Sequence, residues 1–480
     1  MAKVPEPIEV HLGSPKITAD GMEEQLFHDQ VRQLRLSKYI NAALGRKVEA
    51  QGIDAKVRGV QATRVLGLKK RPPGMNLATY DGYYSINVQV PMKVQGKSPP
   101  YVIMALHIDT GSNLSTLGER KIHIEGEEKE YIPPDMPKRT DYHGFKCKGE
   151  YMIGPNGGEK LDGIIHDLTG LKIPGSEFEF DLTACVIKPR VRPVTDGIFG
   201  LGREALTNQY DYEFDGNIVM EPQPTLIANA FDEIMKKNPA LVPVIGFYFL
   251  PLNAENVNQE PKTAKQVGSH LTIGKIAHKY IEGGEAGINW VKLLHDDTGK
   301  MQYKFFMEGI SCGTHEDEKI KFQKPDRNAH SEGHENKPTS NIFAIIDTGC
   351  QSIFMDQDLF HRYATCIGGA YMPQIGYYAV TEEQFKTMPD LVFHIGGKSY
   401  SLDRHSQVMP LKLWPPYWHG FDAMKDLQVL VSQPYVSGSK LGDIDVLLGA
   451  AFMSHFICHI HMPYKKKFTE EMFGIAHQLK

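Results

Sequence analysis

Residues 101–111, YVIMALHIDTG, decide how this chain is to be read, because residues 341–349, NIFAIIDTG, repeat their message in the second half. Each stretch is an apolar, strand-like run that ends in Asp-Thr-Gly: Asp109, Thr110 and Gly111 in the first, Asp347, Thr348 and Gly349 in the second. Further along, each copy is followed by an apolar-apolar-Gly step, Ile198-Phe199-Gly200 and Leu447-Leu448-Gly449. Asp109 and Gly200 stand 91 positions apart, and Asp347 and Gly449 stand 102 apart. Similar motifs in the same order at similar intervals read as two diverged copies of one half-site, whereas a lone Asp-Thr-Gly would carry almost no information.

Smaller fragments extend the pattern. Residues 83–90 (YYSINVQV), 196–202 (DGIFGLG), 268–275 (GSHLTIGK), 391–397 (LVFHIGG) and 447–452 (LLGAAF) fall around the two motifs in order. Together with the paired Asp-Thr-Gly they resemble the pepsin-like aspartic proteases over most of the chain, from about Tyr80 to the C-terminus. The resemblance implies a mainly β fold of two related lobes with a central cleft. It also implies an extended polypeptide substrate bound as an added strand, with apolar side chains flanking the scissile bond. Composition agrees with strands: Val, Ile, Thr and aromatic clusters alternate with Gly, Pro and Asn turns. The best helical stretches are residues 23–44 and 225–237.

Two aspartates on repeated loops suit a shared-proton chemistry. Like charges about 3 Å apart cannot both ionise comfortably, so one pKa is driven up, one carboxylate serves as base and the other as acid. The base takes a proton from water, the water attacks a peptide carbonyl, and the protonated partner hydrogen-bonds the developing oxyanion. Such a reaction calls for no metal or cofactor. Asp109 and Asp347 are therefore the candidate catalytic pair. Gly111 and Gly349 permit the sharp backbone turn, and the resemblance implies that Thr110 and Thr348 brace the loops against each other.

Three departures bear on activity. The family places Ser or Thr after Asp-Thr-Gly to bond the catalytic carboxylate; Ser112 fits, but Cys350 offers only a weak S–H donor and reads as a buried, inert residue. The family's lid hairpin carries a Tyr bonded to a Trp of the first lobe, yet Trp290, Trp414 and Trp418 all lie in the second half. Counting back from Gly163 and Asp167 puts Asn156 at the Tyr position, and Tyr151 would serve only in a longer hairpin. The tip Gly154-Pro155-Asn156-Gly157-Gly158 still reads as a turn, so a lid over 154–163 is expected. Finally, residues 457–462 read ICHIHM where the family has a strand ending in Asp. His459 and His461 alternate and should share one strand face, although no third ligand stands at metal spacing.

The 480 residues carry a net charge of −5, unevenly spread. Residues 1–75 hold 13 Lys and Arg against 8 Asp and Glu, a basic leader of the kind that could sit on a carboxylate pair until acid weakens the contact. Lys69-Lys70-Arg71 before Pro72-Pro73-Gly74 is a plausible cleavage and linker point, so the expected division is 1–75 leader, 76–262 first lobe and 263–480 second lobe. An extension that stays attached is the competing reading. Basic residues without interleaved aromatics argue against nucleic-acid binding. No apolar run reaches the roughly 20 residues of a membrane span, and no secretory h-region stands at the start. A monomer is expected. The resemblance points to a secretory or acidic compartment without settling it.

Six cysteines, at 147, 185, 312, 350, 366 and 458, permit disulfides without fixing them; Cys147–Cys185 across the lid is one candidate. The sequon Asn113-Leu114-Ser115 lies inside the catalytic loop and should be unused. Residues 314–341, rich in His, Glu and Lys, read as a solvated insertion at a hairpin tip, with His315, His330 and His334 solvated rather than metal-bound. Residues 414–418, WPPYW, are an aromatic turn that could line a substrate pocket or pack on the lobe surface.

Overall fold

The computed structural model describes residues 84–91, 101–112, 114–118, 163–174, 179–186, 196–203, 241–251, 269–276, 278–296, 298–299, 302–313, 342–372, 377–409, 426–435, 443–462 and 470–479. It describes the backbone alone of 8–11, 121–124, 127–130, 146–151, 159–162, 187, 211–214, 217–219 and 320–322. The helical stretches expected at 23–44 and 225–237, the linker near Lys69, the lid tip at 152–158, the aromatic turn at 414–418 and the three insertion histidines lie outside the described residues.

Strands dominate. In the first half, Tyr101–Asp109 alternates exposed and buried residues at its start and is buried throughout as it approaches the Asp-Thr-Gly turn. It pairs antiparallel with Ser85–Pro91 and parallel with Gly197–Gly200, which puts Gly200 opposite Asp109. Gly197–Gly200 in turn pairs with Ser115–Gly118, and that strand runs parallel to Glu179–Ile187. Glu179–Ile187 pairs back onto the long strand Glu159–Lys172, which touches Ser85–Pro91, so six strands form a closed ring around one core.

The second half repeats the local scheme. Ile342–Ile346 runs parallel to Val446–Leu448, and Ile353–Met355, directly after the turn, pairs antiparallel with Val446–Leu448. Both apolar-apolar-Gly steps therefore lie beside the strand that delivers an aspartate. Each needs glycine for close approach: a Cβ on Gly200 would stand 2.8 Å from the Ser112 carbonyl oxygen, and one on Gly449 2.3 Å from that of Ser352 and 2.5 Å from that of Cys350. The family-like run at 391–397 is a strand, Leu391–Ile395, turning back onto Lys398–Leu402 through Gly396 and Gly397. Their φ values of 57° and 76° are what a two-residue hairpin turn demands.

A third sheet joins the halves. Its order is Ile8–His11, His270–Ile273, Val244–Tyr248, Phe456–His461, Met472–His477 and Asn289–Lys292, with every pairing antiparallel. Ile8–His11, within the first 75 residues, is an edge strand of the joining sheet. The core is continuous from Tyr84 to Ile475. Tyr84 stacks on Phe249 with ring centroids 4.1 Å apart and donates its hydroxyl to the Leu250 carbonyl.

Candidate active site

Both Asp-Thr-Gly turns start at the buried end of a strand, and the two turns meet. Asp109 and Asp347 are each 0% exposed. The Thr110 amide donates to Thr348 Oγ1 at 2.9 Å, and the Thr348 amide donates to Thr110 Oγ1, also at 2.9 Å. Each hydroxyl then donates onward to the carbonyl just before the opposite aspartate: Thr348 Oγ1 to Ile108 at 2.9 Å and Thr110 Oγ1 to Ile346 at 3.4 Å. Threonine suits this position because one hydroxyl both accepts and donates, which satisfies four buried groups that would otherwise be orphaned. The lock is reciprocal and holds the aspartates' backbones in register across 238 residues.

Within each turn the carboxylate is oriented by its own loop. Asp109 Oδ1 accepts from the Gly111 amide at 2.8 Å, and Asp347 Oδ1 from the Gly349 amide at 2.9 Å. Beyond the glycine the two loops diverge. Asp109 Oδ2 accepts from Ser112 Oγ at 2.6 Å. At the matching place in the other loop the Cys350 thiol, 1% exposed, donates to the Ser352 carbonyl at 3.6 Å.

Backbone clamps hold the loops from behind. The Leu201 and Gly202 amides donate to the Asp109 and Ser112 carbonyls, each at 2.8 Å, and the Ala450 amide donates to the Cys350 carbonyl at 2.7 Å. Leu114 and Ser115 of the sequon are buried, and Ser115 Oγ accepts from the Gly200 amide at 3.1 Å.

Two buried cations that the sequence did not single out support the same region. Arg203, directly after the Leu201-Gly202 clamp, ion-pairs with Glu471 and donates to the carbonyls of Leu294, Gly299 and Gln302. It thereby fastens the first aspartate's clamp to segments of the second half. Lys304 is 0% exposed, bonds Asp296 at 2.6 Å and also Asp443, and lies 4.2 Å from the Phe343 ring centroid. It pairs across the sheet with Ile345, two residues before Asp347. Burial opposes ionisation of Asp443, but hydrogen bonding and charge from Lys304 outweigh it and hold the carboxyl below its ordinary value. The only hint in the sequence was an Arg abutting DGIFGLG; the carboxylate partners are too distant to be seen.

Of the lid, the flanking ladder is described: Lys146–Tyr151 pairs antiparallel with Glu159–Lys172, ending with Tyr151 opposite Glu159. The side chain of Tyr151 and all of Gly154, Asn156, Gly157 and Gly158 lie outside the described residues. Cys147 and Cys185 sit on the two strands flanking Glu159–Lys172, opposite Gly163 and Ile165. His459 and His461 do share a face, with Trp290 6.0 and 6.1 Å from their ring centroids. Among the described residues, no group of three or more His, Cys, Asp or Glu converges as a metal site.

Comparison with known proteins now decides the family. A family model described as eukaryotic aspartyl protease matches residues 165–412, just over half of the chain. The chain belongs to the eukaryotic aspartyl protease family. Among curated aspartyl proteases it is similar to cathepsin E of Mus musculus, 27% identical over 202 residues, and to cathepsin E of Oryctolagus cuniculus, 26% identical over 202 residues. Each match spans 41% of this chain and 41% of the relative, so the alignment covers about two fifths of the curated proteins. Among solved structures it resembles the aspartic proteinase from Irpex lacteus, with a TM-score of 0.54 and 18% identity, covering 82% of this chain and 94% of that one. The fold is thus the bilobal, mainly β fold of pepsin-like aspartic proteinases.

Proposed function

We propose that this aspartyl protease family member is an active endopeptidase in which Asp109 and Asp347 share a proton and activate one water against a peptide carbonyl. The observation that carries the reading is the reciprocal Thr110–Thr348 lock. A chain selected only to bind would have no need of two aspartates held in register by four buried hydrogen bonds. In this reading Ser112 orients Asp109, and the hairpin around 154–163 closes over an extended polypeptide. Residues 76–262 and 263–480 form the two lobes, and the basic leader 1–75 shields the cleft before removal. Turnover is expected on the acid side of neutrality, where one of the two carboxylates is protonated.

A second reading, a binding or inhibitor protein on the same scaffold, draws its support from the asymmetry between Ser112 and Cys350. Peptide-library cleavage across pH 3 to 7, before and after removal of the leader, separates the two. The endopeptidase reading expects sequence-selective cleavage that falls by at least about a hundredfold in Asp109→Asn, as loss of a general acid-base group implies. Silence at every pH with leader removed would favour the binding protein.

A further inference from the structure

Tyr303 stands directly before the strand Lys304–Met307 in the second half of the chain and is 0% exposed. Its hydroxyl donates at 2.7 Å to the carbonyl of Leu201, 102 positions earlier in the first half. The backbone on either side of it is fixed. The Gln302 amide donates to the Thr298 carbonyl at 3.0 Å, the Gln302 carbonyl accepts from Arg203, and Lys304 bonds Asp296 and Asp443. Burial raises the pKa of the phenol; Arg203 opposes the rise and Glu471 adds to it, so the group remains a proton donor throughout the acid range.

The acceptor sets this tyrosine apart. The Leu201 carbonyl and the Gly202 amide belong to one planar peptide. That amide donates to the Ser112 carbonyl at 2.8 Å, the Leu201 amide donates to the Asp109 carbonyl at 2.8 Å, and Ser112 Oγ donates to Asp109 Oδ2 at 2.6 Å. Hydrogen bonds thus lead from the phenol through the Leu201–Gly202 peptide and Ser112 to the first carboxylate, all in buried residues. A peptide that accepts at its oxygen is polarised into a better donor at its nitrogen. In the second half the carbonyl that follows the glycine step, that of Ala450, accepts from the Ser454 amide at the end of its own short helix. In the first half the carbonyl at that place is reached from across the molecule.

We propose that Tyr303 is a positioning residue for Asp109: from the second half it sets the Leu201–Gly202 peptide, and through it the direction in which Ser112 presents its hydroxyl to the carboxylate. For its effect on turnover this inference rests on the endopeptidase reading. The Thr110–Thr348 lock couples the halves through the backbones of the two turns. Tyr303 adds a second coupling, which ends on a carboxylate oxygen of the first turn alone.

Tyr303→Phe removes the hydroxyl alone. Tyr400→Phe is the control, since Tyr400 is equally buried in the second half and donates at 3.3 Å to the Ile475 carbonyl in the joining sheet. In peptide cleavage by the purified chain, Tyr303→Phe is expected to lose about tenfold in kcat with KM nearly unchanged. Its acid limb moves to higher pH, because a looser Ser112 bond favours the charged Asp109 less. Tyr400→Phe keeps the profile of the unaltered chain. A Tyr303→Phe profile superimposable on that of the unaltered chain, or a shift shared by Tyr400→Phe, overturns the proposal. Hydrogen–deuterium exchange separates this failure from that of the endopeptidase reading. If the unaltered chain cleaves nothing, that reading fails, while faster exchange of the Leu201 and Gly202 amides in Tyr303→Phe but not in Tyr400→Phe still upholds the positioning. Unchanged exchange overturns it. Should Tyr303→Phe fail to fold, site-specific fluorotyrosine at position 303, a stronger donor, must slow the same exchange and move the acid limb to lower pH; no movement in either overturns the proposal.

Discussion

Ser112 and Cys350 occupy matching places in the two loops, and the exchange of a hydroxyl for a thiol governs what the neighbouring carboxylate feels. A hydroxyl 2.6 Å from Asp109 Oδ2 favours the charged form, whereas a thiol is a weak donor. Cys350→Thr adds a hydroxyl beside Asp347, and a hydrogen bond to a charged group contributes about 1.5–3 kcal/mol. We expect a several-fold change in kcat/KM and an acid limb displaced to lower pH, because the new donor stabilises the carboxylate. A pH–rate profile superimposable on that of the unaltered chain would show that the second hydroxyl is dispensable here.

At the scale of elements, the two Gly-ended steps show how a strand pair can be built to hold a loop. Gly449 has no room for a side chain, with two carbonyl oxygens of the Asp347 loop inside 2.6 Å of an ideal Cβ. Gly449→Ala must push that loop, at a cost of about 1–3 kcal/mol, and the expected signature is a lowered urea midpoint with a larger loss of kcat/KM than stability alone explains. Gly397→Ala is the control. Its Cβ would meet nothing within 4 Å, so only the φ of 76° is strained, costing about 1–2 kcal/mol and leaving kcat/KM unchanged. The helix Gln357–Ile367 escaped sequence reading although both ends are signalled, by the Asp356 cap and by Gly368 at φ 72°. Its buried Leu359, Phe360, Tyr363 and Ile367 include weak helix formers, so packing on the second lobe's strands, rather than propensity, makes it a helix.

Over the whole molecule, the joining sheet spans both halves, and its strand Phe456–His461 carries a histidine in a dry place. His459 is 0% exposed, neither ring nitrogen has a hydrogen-bond partner among the described residues, and Trp290, Gly246 and Thr272 surround it. Burial first, and the nearby His278 second, depress its pKa to about 3. The unfolded chain, near the ordinary value of about 6.5, therefore binds a proton that the folded chain refuses. Stability from this group is complete above about pH 6.5 and drains away as pH falls toward about 3. His455, depressed to about 4 chiefly by burial, pulls the same way. We expect Tm to fall steadily over that window and His459→Phe to flatten the fall; equal slopes in the two proteins would assign the acid lability to other groups. Stability thus falls on the acid side, where the proposed shared-proton chemistry would run, so the protonation of these histidines in the unfolded chain sets a lower pH edge on the proposed activity.

What the sequence by itself determined was local and repeated. The apolar runs into Asp109 and Asp347, the glycine steps and the Gly396-Gly397 turn each arise from neighbouring residues, so alternation, turn chemistry and duplication made the fold class and the aspartate pair legible. What only the tertiary structure decided joins residues far apart: Thr110 to Thr348, Arg203 to Glu471, Lys304 to Asp443. No local pattern encodes these, because each exists only once loops of more than a hundred residues have closed and water has left, and only there does an unpaired polar group become costly enough to dictate its partner.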